Sequence, residues 1–137
     1  MGDETFSAVE QTKVAAFLDG GGRLMASGTE IGWDLDRPSG PTAADREFYN
    51  SRLMADYVGD DGGSYQATGL AGTPLEGTAI GFAPYAAEEI YDAEAPDQMN
   101  ATGGSVLIAN YSGGGAGGAA LQYRGGVPER RLVVLGF

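Results

Sequence analysis

The sequence predicts an α/β domain, a mixed sheet flanked by helices, and two observations predict it. A capped amphipathic helix runs through three glycines straight into a short apolar strand, and three strand-like runs separated by glycine-rich turns fill the C-terminal part. The 137 residues amount to a single domain. Glycine is abundant, at 24 residues, but 7 tyrosines and several patterned apolar segments argue for a loop-rich globular fold rather than disorder.

The elements follow in order. Ser7-Ala8-Val9-Glu10 has the S-x-x-E form of a capping box, which starts a helix whose apolar face carries Val14, Phe17 and Leu18. Gly20, Gly21 and Gly22 supply left-handed residues that end it. Residues 23–27 are too short for a helix and read as a buried strand; Gly28 after them is expected to take a backbone conformation closed to other residues. A loop is expected over 29–40. Thr42, with Asp45 three residues on, caps a second helix whose apolar face is Phe48, Tyr49, Leu53, Met54 and Tyr57, ending near Gly59. Residues 60–63 are turn material, 64–70 and 79–82 read as strands, and 86–91 as one or two helical turns. Strands are expected at 105–111, 119–123 and 131–135, the first two joined by a long glycine-rich hairpin loop.

Charge and composition exclude much. Nineteen acids against eight bases give −11, and the sole adjacent basic pair is Arg130 and Arg131, so nucleic acid and anionic membrane surfaces are disfavoured as partners. No stretch has the length and apolar character of a membrane span, and no signal-peptide pattern opens the chain. The absence of Cys and His removes disulfides, thiolate nucleophiles, Cys/His zinc sites and every His-based catalytic pair. No cofactor is expected, since residues 20–22 follow a helix and precede a strand, the reverse of a dinucleotide loop, and residues 113–118 lack the Lys-Ser/Thr of a phosphate loop.

The run from Phe17 through Gly20-Gly21-Gly22, Ser27-Gly28 and Glu30-Ile31-Gly32-Trp33-Asp34 resembles a stretch in secreted bacterial multidomain proteins labelled xanthan lyase or N-acetylmuramoyl-L-alanine amidase. Phe48-Tyr49-Asn50, Tyr57-Val58, Asp60-Asp61, Tyr65 and the ending Val133-Val134-Leu135-Gly136-Phe137 fit the same group. More distantly the chain looks like the class I glutamine amidotransferase-like fold, which implies a flavodoxin-like three-layer sandwich around a mixed sheet. That family's nucleophile is a Cys on a strand-to-helix elbow completed by a His-Glu pair, and this chain has neither Cys nor His, so glutaminase chemistry by that route is excluded. The resemblance further implies a degenerate, N-terminally truncated domain from a larger chain, extracellular or at the cell surface.

By the same resemblance Ser27, Gly28, Thr29 and Glu30 sit where the elbow would be, and there they would line a vestigial ligand pocket. Ser27 has no His to activate it, Lys13 lies on the preceding helix, and a turn serine is the ordinary reading. Glu30 with Asp34 or Asp36 could form a glycosidase pair, which needs roughly 5–9 Å between carboxyls and one raised pKa, whereas loop acids ordinarily cap and solvate. Trp33 would be a saccharide platform if exposed; as the single Trp beside a glycine it is expected in the core. Asp60 and Asp61 offer hard oxygen ligands to Ca²⁺ but lack the EF-hand order of acids, so a tight turn is expected. The expected function is a non-catalytic binding or structural module with a possible saccharide ligand; the alternative is a carboxylate-dependent hydrolase acting on carbohydrate. A truncated sheet would leave an uncovered edge and face, from which a homodimer is expected.

Overall fold

The computed structural model describes residues 5–82, 93, 95–113 and 115–137. Helix α1 (Ala8–Asp19) begins at the predicted capping box: Ser7 N donates to Glu10 Oε2 at 2.9 Å and Glu10 N donates to Ser7 Oγ at 3.5 Å. It ends where Gly21 takes φ +85° and the amides of residues 20–22 bond back to the last turn. Strand β1 (Arg23–Ser27) follows as predicted. Gly28 is not among the glycines with positive φ, so the special backbone conformation expected there is not adopted.

Residues 29–40, expected as a loop, contain a short helix α2 (Ile31–Asp36). Helix α3 (Ala43–Glu47) has the Thr42/Asp45 capping box and passes into a π-helical turn, Phe48–Arg52. The predicted second helix stops there. Met54 adopts φ 56°, with its carbonyl held by Thr102 N and Ser105 Oγ, and residues 55–59 form strand β2 (Ala55–Gly59) instead of a helical end. Strands β3 (Gln66–Gly69), β4 (Ala79–Gly81), β6 (Val106–Tyr111), β7 (Gly118–Gly125) and β8 (Arg130–Leu135) match expected runs, while β5 (Gln98–Ala101) was not foreseen. The expected helix at 86–91 lies outside the described residues.

All eight strands join one curled sheet in the order β1-β8-β7-β6-β3-β4, with β2 and β5 branching off through Met99 opposite Gly118 on β7. This corrects the predicted three-layer, amidotransferase-like (flavodoxin-like) α/β sandwich. Doubly wound folds need parallel strands joined by helical crossovers, and among the described strands only β1 and β8 run parallel. The other described pairings are antiparallel, and β3–β4, β6–β7 and β7–β8 are consecutive strands paired as hairpins. The α1-glycine-β1 unit is correct locally but misleads about the whole. β1, expected as a buried strand, lies at the sheet's edge, with Met25 67% exposed.

The core has two parts. On one face Leu35, Phe48, Tyr49 and Leu53 from the helical segment pack on Ala26, Leu121, Leu132 and Val134 of the sheet, each fully buried Leu contributing about 2 kcal/mol. At the β3–β4 end Phe82 stacks on Phe137, with centroids 4.5 Å apart, beside Tyr111 and Ile108. The first cluster anchors α2, and so positions the candidate site.

Candidate functional site

The site is built around the first turn of α2. A helix start leaves amide N–H groups without intrahelical acceptors, and Glu30 at the N-cap makes no side-chain cap bond. Asp97 does so instead: Oδ2 accepts from Gly32 N at 2.5 Å and Oδ1 from Trp33 N at 3.1 Å. The residue is almost wholly buried, at 1% exposure, and its own backbone is fixed, with Asp97 N donating to Gly136 O and Asp97 O accepting from Tyr111 Oη. Burial pushes its carboxyl up to about 8 against the pull of the two amides, and the charges of Glu30 and Asp60 add to the rise.

Glu30 lines a groove of about 600 Å³ with Ser27, Gly28, Thr29, Phe6 and Leu24. Its carboxyl is raised by burial and by Asp60 and Asp34, with Arg37 acting the other way. Tyr57 on β2 faces the same charges and is raised to about 12, chiefly by burial. Ser27 Oγ donates to the main-chain oxygen of Phe137, the satisfied role expected of a turn serine rather than that of a nucleophile. Thr29 is buried.

Asp34 and Asp36, the acids expected as possible partners of Glu30 in a carboxylate pair, are both held by other groups. Asp34 Oδ2 accepts from Thr5 N at 2.8 Å and Thr5 Oγ at 3.0 Å. Asp36 Oδ2 accepts from Asn50 Nδ2 and Tyr57 N, both at 3.0 Å, and Asp36 Oδ1 lies 3.7 Å from Arg46 Nη1. These bonds tie α2 to its neighbours, so both acids serve the fold, and of the three only the Glu30 carboxyl makes no hydrogen bond among the described residues. Trp33, expected in the core, is 38% exposed, with the Arg37 guanidinium 3.7 Å above its ring. Asp61 Oδ1 accepts from Gly63 N at 2.8 Å, the turn predicted for it, while Asp60 contributes its charge to Glu30, Tyr57 and Asp97. Among the described residues no group of three or more acids is arranged to hold a metal ion.

Sequence reasoning missed Asp97, Arg37 and Tyr57. Asp97 lies 65 residues from Gly32, and no local pattern marks it; Tyr57 had been assigned to a helix face.

No protein-family model matches the chain, and no curated protein matches it either. Among solved structures it is similar to the β-galactosidase of Rahnella sp. R3, with a TM-score of 0.57 and 14% sequence identity over 94% of this chain. The chain spans 18% of that enzyme's length, so the likeness concerns a part of it and the fold alone. Together with the curled, mostly antiparallel sheet, this match overturns the resemblance to amidotransferase-like domains of xanthan lyase and amidase proteins. None of the described helices is long and apolar enough to cross a membrane.

Proposed function

We propose that the chain is a non-catalytic binding module of a carbohydrate-associated protein, with its contact surface on the Glu30–Trp33 turn and the groove beside it. The observation that carries this reading is the fate of the acids. Asp34 and Asp36 are consumed by structural hydrogen bonds, and Asp97, among the described residues the one carboxyl with a strongly raised pKa, is buried with both oxygens on backbone amides. A glycosidase needs two carboxyls that reach opposite sides of one bond. Among the described residues, Asp34 and Asp36 are not free to take that part beside Glu30.

What remains suits recognition. A half-exposed indole stiffened by a guanidinium offers a flat apolar face, and an uncommitted carboxylate one turn away accepts hydroxyl hydrogen bonds. The fold likeness to part of a β-galactosidase supports the carbohydrate association. The test is calorimetric titration with a panel of neutral oligosaccharides alongside an assay for released reducing ends. Binding that Trp33→Ala abolishes, without new reducing ends, fits the module. Turnover lost in Glu30→Gln would establish a hydrolase instead.

A further inference from the structure

Arg37 follows α2 as its C-cap residue and turns its side chain back over the helix it closes. Nη1 donates to Trp33 O at 2.8 Å, and the guanidinium carbon lies 3.7 Å from the centre of the Trp33 ring. Basic side chains at a helix end ordinarily serve its unpaired carbonyls, and Arg37 does so. It does more, because its planar group also covers one face of the indole. The turn that follows leaves room for it: Gly40 stands at φ +109°, and a Cβ there would lie 2.6 Å from Arg37 Nη2. The ion pairs among the described residues use Arg46, Arg52, Arg124, Arg130 and Arg131. Arg37 is thus seated by a carbonyl and a ring, and not by a carboxylate.

Without the guanidinium this indole would suit a cation. Glu30 stands one turn earlier, at the helix start, and feels the charges of Asp34 and Asp60. A carboxylate beside a bare indole face attracts an ammonium group through its own charge and through the ring. Arg37 already occupies one face, and its charge opposes those of the acids around Glu30. A second cation stacked on the opposite face would stand within the ~8 Å Debye length of physiological salt and be repelled. An uncharged ring meets no such repulsion.

We propose that Arg37 sets the specificity of the Glu30–Trp33 surface by acting as a built-in cation: it bars the ammonium group of an amino sugar and leaves Trp33 to an uncharged sugar ring. The inference rests on the reading of that turn as the contact surface. Arg37 acts through Trp33 and is a positioning residue, and Gly40 provides the space that holds it there.

Trp33 is the single Trp of the chain, so its indole N–H signal and its fluorescence report this site alone. The test titrates the full chain with tetramethylammonium chloride at constant ionic strength. It follows the indole N–H by NMR in the parent chain, Arg37→Ala and Arg37→Lys, and quenches the emission of each with acrylamide. The expected result is a saturable shift in Arg37→Ala, with an affinity at least about tenfold above that of the parent chain. Arg37→Lys, which restores the charge, should return to the parent behaviour. Acrylamide quenching should rise in Arg37→Ala and, to a smaller degree, in Gly40→Ala, which keeps the charge but pushes the guanidinium from the ring. A helix-capping role alone would lower the melting temperature and leave the response to tetramethylammonium as it was. Equal responses from the parent chain and Arg37→Ala, whether both bind or neither does, overturn the proposal, and so does quenching that Gly40→Ala leaves unchanged. Failure of the module reading looks different: no neutral oligosaccharide gives heat with the parent chain while the tetramethylammonium results stand.

Discussion

Asp97 caps Gly32 from 65 residues away in sequence, its Oδ2 accepting the buried Gly32 amide while Oδ1 takes that of Trp33. The start of a six-residue helix is thereby stabilised by the strand-leading segment before β5 rather than by its own N-cap residue. Without an acceptor those amides would be buried and unsatisfied. Asp97→Ala is expected to cost about 2 kcal/mol, the scale of a lost cap in a buried setting. Urea denaturation measures it, and amide exchange at Gly32 and Trp33 should accelerate ahead of the strands. An unchanged denaturation midpoint would show that α2 does not depend on Asp97.

The same residue gives stability a pH dependence. Its folded pKa, about 8, lies above the unfolded value near 3.8, so between these limits the folded chain holds a proton that the unfolded chain releases. Stability contributed by that proton is full below about pH 4, declines as pH rises, and is gone above about pH 8. Glu30, also raised, acts in the same direction. The melting temperature should therefore fall by several degrees from pH 5 to pH 8. In Asp97→Asn the slope should flatten; a slope as steep as in the parent chain would assign it to other acids.

Tyr49 and Tyr111 separate two kinds of buried hydroxyl. Tyr49 Oη has no hydrogen-bond partner among the described residues and sits under Gly32, whereas Tyr111 Oη donates to Asp97 O at 2.7 Å. Tyr49→Phe should leave stability within about 0.5 kcal/mol or raise it, while Tyr111→Phe should cost about 1 kcal/mol. Thermal melts of the two variants decide the matter, and a larger loss from Tyr49→Phe would contradict the packing described.

Gly21 closes α1 at φ +85°, and a Cβ there would lie 3.1 Å from Pro128 Cβ. Gly21→Ala is expected to destabilise by roughly 1 kcal/mol. A melting temperature equal to that of the parent chain would place the helix stop elsewhere.

The features legible in the sequence are the local ones. Both capping boxes are four-residue patterns, the glycine stop follows its helix directly, and strands β1, β3, β6, β7 and β8 are alternating or apolar runs bounded by turns. Residues 53–57 misled because Leu53 and Tyr57 keep helical spacing with Phe48 and Tyr49, and only the tertiary bonds on the Met54 carbonyl break the run. The site divides in the same way. Glu30 and Trp33 could be named from the sequence, but whether Asp34 and Asp36 were available for chemistry depended on Thr5, Asn50, Arg46 and Tyr57, which are brought in by folding.

The most direct test of the proposed module is calorimetric titration of the chain with neutral oligosaccharides, repeated on Trp33→Ala and accompanied by a reducing-end assay. The expected outcome is saturable binding that Trp33→Ala abolishes and Glu30→Gln weakens, with no reducing ends released. Release of reducing ends that Glu30→Gln stops, or no heat from any oligosaccharide, would contradict it.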